Sequence, residues 1–197
     1  MTESTEEMDV FKIEKIDEKE GSVRVHLKYT SDEMEDLHLD FEVDLWTFEK
    51  TFMLMRYTTT NRSSKTLEDF KIYYFMDFDV GGPKSYKDDM GKYDAEKQVM
   101  HLWDENPLHV TLSSSSDLDG WEISSPTRLK IQEDNRDLKK NTTLGPRDIA
   151  GALQWNLGSL ETNEKQSVEA LVTAAKTKEE AFKRISEGWD WINRNLR

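Results

Sequence analysis

Cysteine is absent from this chain of 197 residues, so disulfide bonds, thiolate nucleophiles and cysteine-ligated zinc are excluded. Proline and glycine are sparse, and no apolar run approaches the roughly 18 residues that a membrane-spanning helix requires. The amino terminus is acidic and lacks the basic and then apolar layout of a signal peptide. Together these absences predict a soluble, cytoplasmic protein.

Basic residues are outnumbered by acidic ones, 27 to 40, which gives a formal net charge of -13. The acids are spread along the whole chain, and an evenly acidic surface repels phosphate backbones and anionic lipid. We therefore expect neither nucleic acid nor a membrane as a partner. The length suits one domain that buries about 70% of its unfolded surface, with strands and loops over 8–175 and a closing helix over 177–195.

The centre of the pattern is the stretch from Trp46 to Val80, where two β-rich runs flank a polar loop at Asn61 to Thr66. The first run has apolar side chains at both parities, as in a strand covered on both faces. In the second run the even positions from Phe70 to Phe78 are all apolar. We interpret the stretch as a long hairpin at the centre of an antiparallel β-sandwich, so the predicted fold is mainly β.

A second hairpin is predicted from two alternating runs, Val23 to Tyr29 and Leu37 to Val43. The register that pairs unlike charges places Arg24 opposite Glu42 on the wet face. It also places apolar residues opposite one another on the dry face, so charge and hydrophobicity favour the same register.

A third hairpin is predicted around Glu105, and its register sets His101 opposite Val110 on an apolar face. In that register His109 lies on the other face, so the two histidines would not act as a pair. A core histidine held by hydrogen bonds and a site residue are both open interpretations of His101.

Several segments complete the pattern. Thr127 to Ile131 is interpreted as a short strand and Gln132 to Arg147 as a polar, mobile excursion. Thr177-Lys-Glu-Glu180 has the form of a capping box, with Thr177 as N-cap and Glu180 reaching back to the Thr177 amide. The apolar residues behind it recur at three- and four-residue spacing, which predicts one amphipathic helix that packs on the sandwich.

The candidate ligand-binding face is the outward side of the second central run. Asp77 and Asp79 lie on one side of that strand, about 7 Å apart, with Tyr73 and Phe75 behind them. Rings can stack on the apolar face of a sugar while carboxylates accept hydrogen bonds from its hydroxyl groups. Acids that only keep a strand end solvated are the alternative interpretation.

Calcium is a further alternative for this face. Asp77 and Asp79 could bind it together with Asp88, Asp89 or Asp94, although calcium requires six to eight oxygen ligands. The fragment Asp117-Leu-Asp119-Gly120 resembles part of a calcium loop but lacks the distal glutamate, so it is interpreted as a turn. We therefore predict no metal site.

Two tryptophans, Trp121 and Trp191, fall outside the apolar stripes and are predicted to be free to stack on a ligand or a partner. Trp121 joins the candidate ligand-binding residues. Motifs of activated nucleophiles, glycine-rich phosphate loops and His-Glu-x-x-His are missing from the sequence, and we predict no catalytic residue and no cofactor.

The order of the segments resembles the amino-terminal β-supersandwich domain that precedes the catalytic barrel in prokaryotic glucoamylases, within the galactose-mutarotase-like superfamily. About two thirds of the chain takes part. The residues that carry the resemblance are Tyr57 to Ser63, Tyr74 to Asp79, Gly91 to Asp94, Trp155 to Leu160, Glu164, Ala174 and Thr177 to Ala181.

The resemblance implies a supersandwich domain that occurs alone and is not catalytic, because the acid and base of glucoamylases belong to the barrel. Its expected role is to bind an oligosaccharide or to dock onto a carbohydrate-active partner. One alternative is a sugar epimerase, lyase or hydrolase on a mutarotase-like fold, with His101 as base. Another is a homo-oligomeric structural protein.

Overall fold

The computed structural model describes residues 11–31, 34, 36–47, 51–82 and 84–196, apart from the side chain of Tyr86. Two antiparallel sheets pack face to face, and one helix, α1 (Lys178–Asn195), lies on the outer face of the larger sheet. The predicted fold class, an antiparallel β-sandwich with a carboxyl-terminal helix, is confirmed.

The larger sheet has nine strands and the smaller sheet has three. In spatial order the large sheet contains β1 (Phe11–Lys19), β2 (Ser22–Thr30), β3 (His38–Thr47), β4 (Phe52–Asn61), β12 (Lys165–Ala175), β8 (His109–Ser114), β7 (Val99–Trp103), β6 (Met90–Asp94) and β10 (Thr143–Leu144). The small sheet contains β5 (Leu67–Phe78), β11 (Ile149–Leu160) and β9 (Gly120–Ser124).

The main core fills the space between the two sheets. Strands of both sheets contribute alternate residues to it, such as Met100 and Leu102 on β7 and Leu153 and Trp155 on β11, as the period of two requires. Trp155 on β11 is its largest fully buried side chain, and the indole Nε1 donates a hydrogen bond to Ser114 Oγ on β8 at 3.0 Å. Buried partners from both sheets surround it, including Met100, Leu112, Leu153 and Ile72.

The predicted central hairpin is wrong, because its two strands belong to different sheets. β4 pairs with β3 and β12, whereas β5 pairs with β11. The runs meet through side chains across the core, where the rings of Tyr57 and Tyr74 lie 5.8 Å apart. Asn61 holds the crossover, since its amide donates to the carbonyls of Lys65 and Leu160.

The β2–β3 hairpin has the predicted faces but a register shifted by two residues. Arg24 lies opposite Asp44 instead of Glu42, and it forms a bidentate ion pair with the Asp44 carboxylate. The shift keeps every side chain on its predicted face because the side-chain period is two. The connection is longer than predicted and is closed by a hydrogen bond from Ser31 N to Leu37 O.

The predicted register of β7 and β8 is wrong by one residue, which exchanges the faces of one strand relative to the other. His101 lies opposite Thr111, and Trp103 lies opposite His109. Both histidines therefore lie on the outer face of the large sheet, next to α1. His101 Nε2 lies 3.0 Å from His109 Nδ1, so the prediction that the two histidines do not meet is overturned.

Helix α1 begins where the cap predicts. Thr177 Oγ1 accepts a hydrogen bond from the Glu180 amide at 3.2 Å. The other half of the capping box is not formed, because the Glu180 carboxylate accepts a hydrogen bond from Arg184 at 2.5 Å. The buried helix face packs on β12, and Gly188 lies where α1 approaches Leu171.

Replacement of Gly188 by alanine is expected to destabilise the protein by about 1 to 3 kcal/mol. Alanine gains about 1 kcal/mol in helix propensity over glycine. However, its Cβ would lie 2.6 Å from Leu171 Cδ2, so the helix or the buried leucine must move. Urea denaturation of Gly188→Ala beside the exposed-site control Ser186→Ala checks this, and equal stability of the two variants would contradict it.

The long segment between β9 and β10 differs from its prediction. Thr127 to Ile131 forms no strand, and Pro126–Arg128 is a short 3-10 turn. The polar excursion that follows is packed against the small sheet: Leu138 is buried, and its amide donates to Gln154 Oε1 at 2.9 Å. Glu122 Oε2 accepts from the Lys139 amide at 3.0 Å, so this segment covers the outer side of β9 and β11.

Candidate functional site

The outer side of β5 remains open beside this covering segment. β5 is an edge strand of the small sheet, and its outward side chains include Tyr73, Phe75 and Asp77, here called the β5 face. Phe75 is 43% exposed, which is rare for a ring of this protein. Tyr73 and Phe75 stack with their centroids 6.4 Å apart and an interplanar angle of 29°. They form an aromatic platform that solvent reaches.

The platform is anchored at one end and charged at the other. Tyr73 Oη donates a hydrogen bond to Arg136 O at 2.5 Å, which joins the ring to the covering segment. At the other end Asp77 and Asp79 are exposed. The pKa of Asp77 is raised, first by partial burial and then by the negative charges of Asp148 and Asp79.

Five aspartates gather beyond the end of β5. This carboxylate cluster consists of Asp77, Asp79, Asp89, Asp104 and Asp148. Burial raises the pKa of Asp89 to about 7, and the charges of Asp104, Asp79 and Asp148 add to the effect. In the described part of the chain, no lysine, arginine or histidine forms an ion pair with any of the five.

The chain builds this cluster with a tight turn after β5. Gly81 has φ +79°, a backbone conformation that favours glycine, and a Cβ there would collide with the Asp104 carboxylate and the Ser85 hydroxyl. The turn returns the chain to Asp89, whose Oδ2 accepts a hydrogen bond from Val80 N at 3.3 Å. Asp89 is thereby held behind the end of the strand, fully shielded from solvent.

Two buried carboxylate oxygens of the cluster have no hydrogen-bond partner among the described residues, Asp89 Oδ1 and Asp104 Oδ1. Asp104 is 7% exposed, and its other oxygen accepts from Asn106 Nδ2 at 2.9 Å. Unpaired buried carboxylate oxygens cost free energy. At this end of the sandwich the carboxylates are therefore not neutralised by ion pairs with the described residues.

A cleft of about 370 Å³ opens beside Asp104. This acidic cleft is lined by Asp88, Met90, Trp103, Asp104, Glu105 and Pro146. Three of these residues carry carboxylates and three are apolar, and none is basic. Trp103 and Met90 lie opposite each other on β7 and β6, so the strands supply the apolar wall and the loops supply the acids.

Trp121 lies elsewhere than its prediction supposed. Its ring packs inward against the main core and stacks on Tyr93, with centroids 4.3 Å apart. Lys140 Nζ lies 5.5 Å from the ring centroid. Trp121 is on the opposite face of the small sheet from Phe75, since it pairs with inward-facing Leu153. Trp191, the other ring predicted to be free, packs against the cluster beneath α1.

His101 is 6% exposed and does not line the acidic cleft. Its ring stacks on Trp103 at 4.6 Å and meets the edge of Phe182 from α1 at 5.5 Å. Burial, with the neighbouring His109 charge, lowers the pKa of His101 to about 4, so the ring is neutral at pH 7. The arrangement is that of a packed side chain beneath the helix.

Solved structures of other proteins have a fold similar to that of this chain. The chain is similar to a GalM/aldose epimerase homologue from C. elegans, with TM-score 0.60 and 8% identity over 85% of this chain and 69% of that one. It is also similar to a bacterial glucoamylase solved with acarbose, with TM-score 0.59 and 16% identity over 88% of this chain and 25% of that one. The chain has the β-supersandwich fold. No family model and no curated protein sequence matches it.

The resemblance inferred from segment order is therefore confirmed for the fold. This supersandwich spans about two thirds of the epimerase homologue but only a quarter of the glucoamylase. At these identities the likeness carries the fold alone, and both structures are carbohydrate-active proteins by their names. Activity, substrate and partners have to be argued from this chain's own residues.

Two further observations bear on the site. Among the described residues, no group of three or more histidine or acidic side chains is arranged to hold a metal ion. No helix in the same part of the chain is long and apolar enough to cross a membrane. The sequence predicted Tyr73, Phe75, Asp77 and Asp79 as site residues, and the structure places them together along β5 and at its end. The prediction missed Asp104 and Asp148, whose only sequence signal is an acid next to a turn or a strand end.

Proposed function

We propose that this protein binds carbohydrate on the β5 face. The observation that carries the proposal is a pair of stacked rings, the half-buried Tyr73 and the exposed Phe75, that continues into the carboxylates of Asp77 and Asp79. Aromatic faces stack on the C–H side of a pyranose, and carboxylates accept hydrogen bonds from its hydroxyls. The two chemistries lie side by side on one exposed strand.

The proposal assigns no catalytic residue. His101, which the alternative of an epimerase, lyase or hydrolase would use as its base, is packed beneath α1 and away from the cleft. The carboxylates of the β5 face then act by accepting hydrogen bonds. The supersandwich fold, found in an epimerase homologue and a glucoamylase, supports a role in carbohydrate metabolism.

Replacement of Phe75 by alanine is expected to weaken oligosaccharide binding by about two- to tenfold, since a lost stacking contact is worth about 0.5 to 1.5 kcal/mol. The free energy of unfolding should change little because Phe75 is 43% exposed. The measurement is a thermal-shift and calorimetric titration with malto-oligosaccharides and other glucans. A ligand at a hundredfold excess over its dissociation constant stabilises the protein by about 2.7 kcal/mol.

Ile16→Ala is the matched control, because Ile16 is 51% exposed on β1, a strand of the other sheet. It should bind as the parent does. Equal binding by Phe75→Ala and the parent would remove the β5 face as the site. Absence of a shift with every sugar would overturn carbohydrate binding itself.

Docking onto a carbohydrate-active protein is the second candidate, and an exposed apolar edge favours it. Ile13 and Ile16 are 64% and 51% exposed on β1, which ends the large sheet. Their strand carries a bulge between Ile13 and Lys15, which lets both side chains lie on the core side of the sheet. Light scattering at high concentration measures the mass of the protein in solution and separates this candidate from the homo-oligomer. A docking domain without its partner should have the mass of a monomer, whereas the homo-oligomer should have a larger mass.

A further inference from the structure

The acidic cleft has a composition that the β5 face does not share. Its lining combines the aromatic residue Trp103 with the acidic residues Asp104, Asp88 and Glu105. A volume of about 370 Å³ lies in the range of small-molecule sites, which runs from about 300 to 1,000 Å³. The charge and polarity of the lining residues therefore indicate which small molecule fits the cleft.

Charge favours a cationic group over a neutral or anionic one. All three charged residues that line the cleft are acids, and the carboxylate cluster behind it adds Asp79 and Asp148. Asp104 lines the cleft with more than nine tenths of its surface buried, and its Oδ1 has no partner among the described residues. A positive ligand would supply the counter-charge that these residues lack.

The residues that line the cleft also indicate which kind of cation fits it. A hard metal ion requires about six to eight oxygen ligands around one point, and the described residues include no group arranged to hold a metal. A protonated amine requires less: one or two carboxylates for its N–H groups and an aromatic face within about 6 Å. Asp104 and Trp103 are neighbours in sequence on the cleft wall and provide that combination.

We propose that the acidic cleft binds a protonated primary amine carried on a small polar ligand, an amino sugar in the first instance. The assignment to a sugar rests on the proposed function, whereas the assignment to an amine rests on the cleft alone. Asp104 accepts the N–H hydrogen bonds, Trp103 faces the ammonium group, and Asp88 and Glu105 attract it at the rim.

The experiment is an NMR titration of the full chain that follows the Trp103 indole signal. The probes are glucosamine, N-acetylglucosamine and ethanolamine. Glucosamine and its N-acetyl form differ at the nitrogen, which is charged in one and neutral in the other. Glucosamine is expected to bind at least about tenfold more tightly than N-acetylglucosamine, as the loss of a charge-assisted hydrogen bond predicts. Equal affinity for the two sugars would overturn the proposal.

Variants of the residues that line the cleft test whether glucosamine binds there. Asp104→Asn is expected to lower the affinity for glucosamine about tenfold or more. Because Asp104 is buried, the double variant Asp88→Asn/Glu105→Gln, at two exposed positions, provides a test that does not depend on the core. It should weaken binding several-fold. Glu179→Gln/Asp190→Asn, at two exposed acids on α1, removes the same number of charges; it is the matched control and should bind as the parent does.

The possible results distinguish three cases: binding of the amine, binding of the amino sugar as a whole, and binding of neutral sugar on the β5 face. If the Asp88/Glu105 double variant and Glu179→Gln/Asp190→Asn bind glucosamine equally well, attraction is general to the acidic surface and the proposal fails. If ethanolamine equals glucosamine, the amine assignment stands and the amino-sugar assignment is overturned. Neutral glucans that bind in a Phe75-dependent manner while glucosamine does not bind would uphold the proposed function and overturn this inference.

Discussion

At pH 8 the free energy of unfolding of the Asp89→Asn variant is expected to be higher than that of the parent protein. Burial and the charges of Asp104, Asp79 and Asp148 raise the pKa of Asp89 from its ordinary value of 3.8 to about 7. Between these two values the folded protein holds a proton that the unfolded chain has lost. Stability of the parent therefore falls as pH rises through this window, by at most about 1.4 kcal/mol per pH unit.

Asparagine removes this dependence on pH. Its carbonyl can still accept the hydrogen bond from Val80 N, and its amide adds a donor beside the Asp104 carboxylate. The advantage of Asp89→Asn should be largest above pH 7 and should shrink as the pH falls toward 4. Urea denaturation across pH 4 to 8 measures it, with Asp88→Asn as the exposed neighbouring control.

The result that would contradict this expectation is a pH profile shared by the parent and Asp89→Asn. Such a profile would mean that Asp89 is ionised at neutral pH at little cost. A uniform loss of stability at every pH would show that the carboxylate itself is required for the turn after β5.

Replacement of Trp155 by alanine is expected to cost about 3 to 5 kcal/mol of stability. Trp155 is 2% exposed and is the largest fully buried side chain, so its removal leaves a cavity that the two sheets cannot close without moving. The indole also crosses the core from β11 to donate to Ser114 Oγ on β8. The loss should appear as a lower midpoint in urea denaturation.

Ser114→Ala separates the hydrogen bond from the packing. It removes the acceptor of the indole N–H, together with an exposed hydrogen bond from the Ser116 amide at 3.2 Å, and should cost about 1 to 3 kcal/mol, as for a buried donor left without a partner. If Trp155→Ala costs no more than Ser114→Ala, the ring contributes little by packing and the core between the sheets is not the main source of stability.

The β7–β8 hairpin shows how one residue of register decides what a side chain can do. The alternation of apolar residues was interpreted correctly for each strand alone. The length of the turn at Glu105 was not visible in that alternation, and the structure pairs Trp103 with His109. This brings His101 and His109 together beneath Phe182 and removes His101 from consideration as an exposed base.

The candidate site was predicted in part. Tyr73, Phe75, Asp77 and Asp79 lie within one strand and its end, so a period of two was enough to place the first three on one face. Asp104 and Asp148 reach the same place from a loop after β7 and from the start of β11, at sequence separations that local patterns do not encode. Trp121 was misplaced because its neighbours did not reveal which side of β9 faces the core.

The sequence by itself determined most of the strands and the helix of this protein, although not the segment from Thr127 to Leu144. Alternation marked the strands, the Thr177 cap marked the start of α1, and the composition excluded cysteine chemistry. Only the tertiary structure decided which strands are neighbours, as for β4 and β5, which are consecutive in the chain but lie in different sheets. The physical reason is that period and propensity act within a few residues, whereas sheet partners, buried carboxylates and clefts depend on contacts between distant parts of the chain.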